Sequence, residues 1–159
     1  MPLTAKFSLH SPAFAQSGYI PRIYTCDHNH QDVSPELEWQ DIPNGTQSLA
    51  LIVDDPDAPN GVYTHWIIFN IPANSNHIAR GVPATATLTD GSRQGTNSAN
   101  KIGYTSPCPP TGTHHYHFKL YALDTLLDLE PGITKQQLET ALQGHIIDNA
   151  ELIGLYRRA

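Results

Sequence analysis

Ser48-Leu49-Ala50-Leu51-Ile52-Val53 runs straight into Asp54-Asp55-Pro56-Asp57-Ala58-Pro59, and the reading of this stretch decides the fold. Six residues rich in apolar and β-branched side chains read as a strand, and their lack of polar alternation predicts burial on both faces. The Asp/Pro cluster then stops the strand, because proline removes a backbone donor and fixes φ. A second strand is read at His65-Trp66-Ile67-Ile68-Phe69-Asn70-Ile71, ending at Pro72. Period-two geometry predicts that His65, Ile67, Phe69 and Ile71 share one side of it. A third strand runs from His114 to Leu123, where His114, Tyr116, Phe118 and Leu120 take the apolar face and His115, His117 and Lys119 the other.

Outward from these strands the signals are sparser. Thr134-Lys135-Gln136-Gln137 has the capping-box pattern, and Leu138, Ala141, Leu142 and His145 follow at helical spacing, which predicts one short helix. The segment Glu151 to Arg157 is expected to form a strand after a short helical turn. Between Ile71 and Gly103 only Ala84 to Leu88 looks strand-like, and so long an irregular connection is expected to wall a site. With 13 prolines, 11 glycines and 15% charged residues, the chain reads as turn-rich and mainly β. Its 159 residues show no repeat or linker, so a single domain over residues 1–159 is expected.

Charge narrows the function classes. A formal net charge of -6 with nine Lys plus Arg leaves no cationic surface for nucleic acid. No run of apolar residues is long enough for membrane insertion, and Met1-Pro2-Leu3-Thr4-Ala5-Lys6-Phe7 is too polar for a signal peptide. A cytoplasmic location is the expectation. Cys26 and Cys108 read as thiols, with a single bridge between them left open by geometry.

Three clusters carry chemistry: Asp55-Pro56-Asp57-Ala58-Pro59, His65-Trp66, and Pro107-Cys108-Pro109-Pro110-Thr111-Gly112-Thr113-His114-His115-Tyr116. They combine stiff, proline-fixed backbone with carboxylate, imidazole and phenol groups, the materials of a preorganised ligand pocket. Asp55 and Asp57 are placed to accept hydrogen bonds from imidazoles or backbone amides, or simply to cap turns. His65 and His114 each open a strand in register with apolar residues, and Tyr116 adds a phenolic donor on the His114 face. The proline-dense loop leaves few free amides, which together with Ser106 can approach a bound oxyanion.

Sharper readings fail. His28 and His30 form a His-x-His pair and His114, His115 and His117 cluster, yet strand alternation splits the second group, so no metal is expected. Cys108 beside His114 lacks any sign of an oxyanion hole. There is no nucleophile elbow, no phosphate-cradling loop and no dinucleotide fingerprint, and no cofactor is expected.

At these residues the chain resembles the phosphatidylethanolamine-binding protein family, in its bacterial Raf kinase inhibitor-like branch. The resemblance covers Phe7 to Phe14, Ile20 to Asp27, Asp32-Val33-Ser34-Pro35, Asp55 to Pro59, His65 to Pro72, Pro107 to Asp124 and Gly144 to Arg157. It implies a mainly β fold with two antiparallel sheets, one or two short C-terminal helices, and a small anion pocket. By motif position Asp55, His65, His114 and Tyr116 resemble the family's ligand contacts, Tyr63 its aromatic rim and Asp57 its supporting carboxylate. Ser106, Pro107 and Pro110 complete the expected ligand-binding set. The chain departs from the pattern at Ser106-Pro107 for Gly-Pro, at His115 for an arginine, and at Asn97-Ser98-Ala99-Asn100 for Asn-Asp-Phe-Gly.

The function expected from this is non-catalytic binding of a phosphate ester or carboxylate headgroup, with a kinase or other protein as a possible partner. The alternative is a hydrolase of phosphate or acyl esters using a His/Asp site. A homodimer is left open, since the sequence carries no decisive surface signature for one.

Overall fold

Strand β4, Ser48–Asp55, is buried at every position. In the computed structural model, which describes residues 6–29 and 31–158, it lies inside a six-stranded sheet ordered β2-β9-β8-β4-β5-β7. The N-terminal residues Met1 to Ala5, on which part of the signal-peptide reading rests, and His30 of the His-x-His pair lie outside the described residues.

The neighbours of β4 are β5, Tyr63–Pro72, and β8, His114–Leu123, both antiparallel to it. Beyond β8 comes β9, Ile146–Tyr156, and then the two-residue β2, Gly18–Tyr19; beyond β5 comes β7, Arg93–Gln94. The pairing of β2 with β9 is parallel, an exception in an otherwise antiparallel architecture. A second sheet of three short strands joins β1, Ser8–His10, β3, Leu37–Gln40, and β6, His77–Ile78, in the order β1-β3-β6.

Two apolar layers result. Between the sheets, Leu9, Leu37 and Trp39 of the small sheet pack with Leu49, Leu51, Val53, Trp66, Ile68, Tyr116 and Phe118. On the other face Ala50, Ile52, Ile67 and Phe69 meet Leu138 and Leu142 of α1, Lys135–Leu142. The continuous apolar run of β4 is therefore explained: odd positions face the small sheet, even positions the helix.

Helix α1 starts where the capping box foretells. Thr134 Oγ1 accepts from Gln137 N at 3.2 Å, and Gln137 Oε1 accepts from Thr134 N at 2.9 Å. A cap of this kind is worth about 1 kcal/mol. The helix ends before His145, whose ring instead meets Asp124 at 2.8 Å. The tail is one strand starting at Ile146, with no helical turn at Glu151. Gly154 is required there because a methyl group would lie 2.6 Å from Ile20 Cγ1 and 2.8 Å from Phe14 Cε2.

Two expectations about faces are corrected. The β4–β5 ladder passes from Val53↔Trp66 to Asp54↔Thr64, leaving His65 as an extra residue in β5. Such a bulge re-aims a side chain. His65 consequently leaves the Ile67 and Phe69 face and sets its ring edge-on to that of Tyr116, centroids 5.2 Å apart, on the inter-sheet side. A second irregularity, between Leu49 and Leu51 in β4, coincides with Asn70 at φ 55° and turns Ile71 to the inter-sheet core. The two cysteines are also corrected: Cys26 and Cys108 form a disulfide, with Cα atoms 5.4 Å apart.

Candidate functional site

The end of β4, the start of β5 and the start of β8 meet at one end of the large sheet. Their antiparallel pairing puts Asp55 opposite Tyr63, and puts Asp54 opposite His117, so residues 55, 63 and 114 emerge side by side. They open into a cavity of about 660 Å³.

Of the residues expected from sequence, Asp55, Tyr63, His65, Ser106, Pro110, His114 and Tyr116 line this cavity. Asp57 and Pro107 do not. Asp57 Oδ2 accepts from the backbone N of His115 at 2.8 Å and contacts its Nδ1 at 2.7 Å, which ties the Asp/Pro loop to the start of β8. The His115 hydrogen bond holds the Asp57 carboxyl below its usual range, so the tie persists well into acid. Pro107 gives its carbonyl to Cys26 N at 3.1 Å and so braces the wall from behind.

Asp55 has both oxygens occupied. Oδ1 accepts from Asp57 N at 2.8 Å, and Oδ2 lies 2.6 Å from His114 Nδ1, with both side chains buried. The carboxylate thus orients the imidazole, and His114 is left with Nε2 for other contacts. His65 is set by a different partner: Nδ1 lies 2.7 Å from the carbonyl oxygen of Thr105, which can only accept, so Nδ1 carries the proton. Burial pushes the His65 pKa down, against the weaker opposing pull of the Thr105 carbonyl, and keeps this ring neutral with Nε2 as an acceptor.

Between the two imidazoles stands Tyr116. Its ring lies 6.4 Å from that of His114 in a stacked arrangement, and its hydroxyl is a buried polar atom without a hydrogen-bond partner among the described residues. Burial raises its pKa far above the ordinary phenol range, so it is a donor at any working pH. Tyr63 leans on His65 at 4.8 Å between ring centroids and forms the cavity rim.

The remaining wall is the segment 105–110, sewn to residues 24–32. Tyr104 Oη donates to Tyr24 O at 2.7 Å, and Ser106 donates through N and Oγ to Asp32 Oδ1 at 2.9 and 2.8 Å. The disulfide closes the same seam. Sequence reading missed Asp32, Ser98 and the disulfide sulfurs as lining groups. The resemblance had marked Asp32 without a role, and nothing local in the sequence pairs it with Ser106. The interval from Ile71 to Gly103 contributes Ser98 alone to the lining, so it is not the wall it was expected to be. Ala84 to Leu88 is not a strand; the interval instead carries β6 and β7 and isolated bridges at Thr87↔Arg93 and Thr96↔Ile102.

His114 is held by Asp55 on one face of β8, and His115 and His117 by Asp57 and Glu151 on the other, so the three imidazoles do not converge as one set of ligands.

The sequence profile described as phosphatidylethanolamine-binding protein matches residues 10–157. The chain belongs to that family. Among relatives of this family member, a UPF0098 protein of Methanothermobacter thermautotrophicus is 52% identical over 151 residues, covering 95% of this chain and 99% of that one. A UPF0098 protein of Pyrococcus horikoshii is 45% identical over 93% of this chain and 75% of its own length. Among solved structures, a phosphatidylethanolamine-binding protein homolog from Chlamydia trachomatis superposes with a TM-score of 0.87 at 40% identity, covering 96% and 98% of the two chains. Escherichia coli YbcL, described as a new member of the mammalian PEBP family, also gives 0.87, at 29% identity over 98% and 100%.

Proposed function

We propose that this family member is a non-catalytic binding module whose cavity takes a phosphoryl headgroup in its monoprotonated form. The observation that carries the reading is Tyr116, a residue of the cavity lining set between two oriented imidazoles, whose buried hydroxyl has no partner among the described residues. A buried donor left unsatisfied costs about 1–3 kcal/mol, and a ligand oxygen removes that cost.

The protonation pattern selects the ligand. Among the described residues no Lys or Arg lines the cavity, whereas Asp32 and Asp55 do. Lys101 Nζ reaches Asp32 from outside the lining at 3.8 Å, so a dianion meets two carboxylates with no cation in the lining itself. A monoanion suits the donors better: Tyr116 donates to one phosphoryl oxygen, and the neutral His65 Nε2 accepts from the remaining P–OH. His114 supplies a donor when its ring carries a second proton, with Asp55 behind it. This differs from the arrangement expected from sequence, in which Asp55 itself received the ligand proton. Asp55 is already fully engaged by Asp57 N and His114.

The Cys108 thiol weighed from the sequence is bonded away and the Ser106 hydroxyl is engaged elsewhere, which supports binding over hydrolysis. Cys108 is bonded to Cys26, and the Ser106 hydroxyl rests on Asp32 and not on an imidazole. No described helix is long and apolar enough to cross a membrane. The expected cytoplasmic location is opposed by the bridge, since disulfides persist chiefly in oxidising compartments and in some hyperthermophile cytosols. Regulation of a kinase or other protein through this cavity is the finer form of the proposal, and excess phosphate would then release the partner.

Titration calorimetry with phenyl phosphate tests the reading. Affinity should rise from about pH 8 to about pH 6, as the phosphate ester dianion takes up a proton and becomes the monoanion. A pH-independent affinity, or binding unchanged in Tyr116→Phe, overturns it. A panel of chromogenic phosphate and acyl esters tests the hydrolase alternative, which turnover abolished by His114→Ala would establish.

A further inference from the structure

A second cavity, of about 600 Å³, lies behind the proline loop and is lined by Arg22, Asp27, Pro110, Tyr156, Arg157 and Arg158. Pro110 lines both cavities and is their shared wall. The β8–β9 register sets the separation: His114 of the first cavity is paired with Tyr156 of the second. At backbone level these two lining residues are thus one strand spacing apart, about 4.8 Å.

The charges of the two cavities are opposite. The first holds two carboxylates and no permanent cation. The second holds three arginines, a third of the nine Lys plus Arg in a chain of net charge -6. Asp27 balances one of them. Its Oδ1 accepts from Arg158 Nε and Nη2, each at 3.1 Å, and its Oδ2 accepts from Tyr156 Oη at 2.5 Å. Arg22 Nε donates to the Asp27 carbonyl at 3.2 Å, which anchors that guanidinium beside the cavity without neutralising it. Among the described residues Arg22 and Arg157 therefore leave an excess of two positive charges lining a concave surface. The planar forks of the guanidiniums match carboxylate and phosphate oxygens.

We propose that the ligand carries a second anionic group, which crosses Pro110 and is held by Arg22 and Arg157 while its phosphoryl group occupies the first cavity. The inference rests on the phosphoryl-binding reading above and adds the chemistry of what is attached to the headgroup: a phosphate or carboxylate a short distance away. Fixed cations just outside a cavity that lacks them also attract the anion into it and make the interaction sensitive to salt. Two sources share this chemistry, a small bisphosphate and an acidic peptide bearing a phosphoserine.

Calorimetry on the intact disulfide-bonded protein separates the cases, with phenyl phosphate as the single-anion reference. One arm uses fructose 1,6-bisphosphate and the other a phosphoserine peptide flanked by glutamates. At least one should bind about tenfold more tightly than phenyl phosphate at low salt, the scale of one charge-assisted pair. Arg22→Gln/Arg157→Gln should remove that gain and lower phenyl phosphate affinity only by the smaller factor that long-range attraction contributes, while Arg22→Lys/Arg157→Lys should restore part of it. Gain in the first arm alone assigns a small metabolite; gain in the second alone assigns a protein segment. If phenyl phosphate binds but neither arm gains, or if the gain survives the double Gln variant, the second site is refuted. If phenyl phosphate itself fails to bind, it is the headgroup reading that falls.

Discussion

Asp55 and His114 stand 59 residues apart in sequence and 2.6 Å apart through Oδ2 and Nδ1. Asp55→Asn keeps an oxygen for Asp57 N but withdraws the negative charge behind the imidazole. The fold should survive, and phenyl phosphate affinity measured by calorimetry should drop by about tenfold, the scale of one charge-assisted hydrogen bond. Unaltered affinity would show that His114 does not need its carboxylate.

Tyr116→Phe removes a hydroxyl that has no partner in the unliganded protein. Denaturant unfolding should show the variant as stable as the parent or more stable by about 1 kcal/mol, because an unsatisfied buried donor is lost. Phosphate binding should weaken in the same variant. A destabilised protein would mean that the hydroxyl is satisfied by a group within the fold.

The buried His65 makes stability depend on pH in a defined direction. Its pKa is depressed in the fold, so below the unfolded value of about 6.5 the unfolded chain binds a proton that the native ring does not. Its contribution is fully present above that value and is lost as pH falls towards the depressed folded value. Urea midpoints taken down through this window should fall more steeply for the parent than for His65→Gln. Parallel curves would contradict the neutral ring.

The Cys26–Cys108 bridge links residues 82 apart and closes the seam behind the cavity. In the chain-entropy account a loop of this length contributes about 4 kcal/mol. Cys26→Ser/Cys108→Ser should lower stability by that order in urea unfolding, and reductant should affect the parent but not the variant. Equal stability with and without reductant would place the bridge outside the stabilising framework.

Much of this site was legible before folding was considered, for reasons that lie in local chemistry. The alternation in His114 to Leu123 separates His114 and Tyr116 from His115 and His117, because side chains of a strand must alternate. The capping box places α1 because its two hydrogen bonds join residues three apart. The face of His65 was not legible. A bulge is a mismatch in count between two strands, and half of that count belongs to β4. Asp32 was passed over as a lining group because its partner Ser106 lies 74 residues away.

From the amino-acid order alone came the buried central strand, the face on which His114 and Tyr116 stand, and the start of the helix. These follow from periodicity, proline and capping, which act over a few residues. Tertiary structure decided which carboxylate serves which imidazole, that Asp57 supports from outside the cavity, that the cysteines are joined, and that arginines from residues 22 and 157 share one hollow. Each of those depends on strand register and on distances between remote segments, and such distances are set only when the sheets pack around their common core.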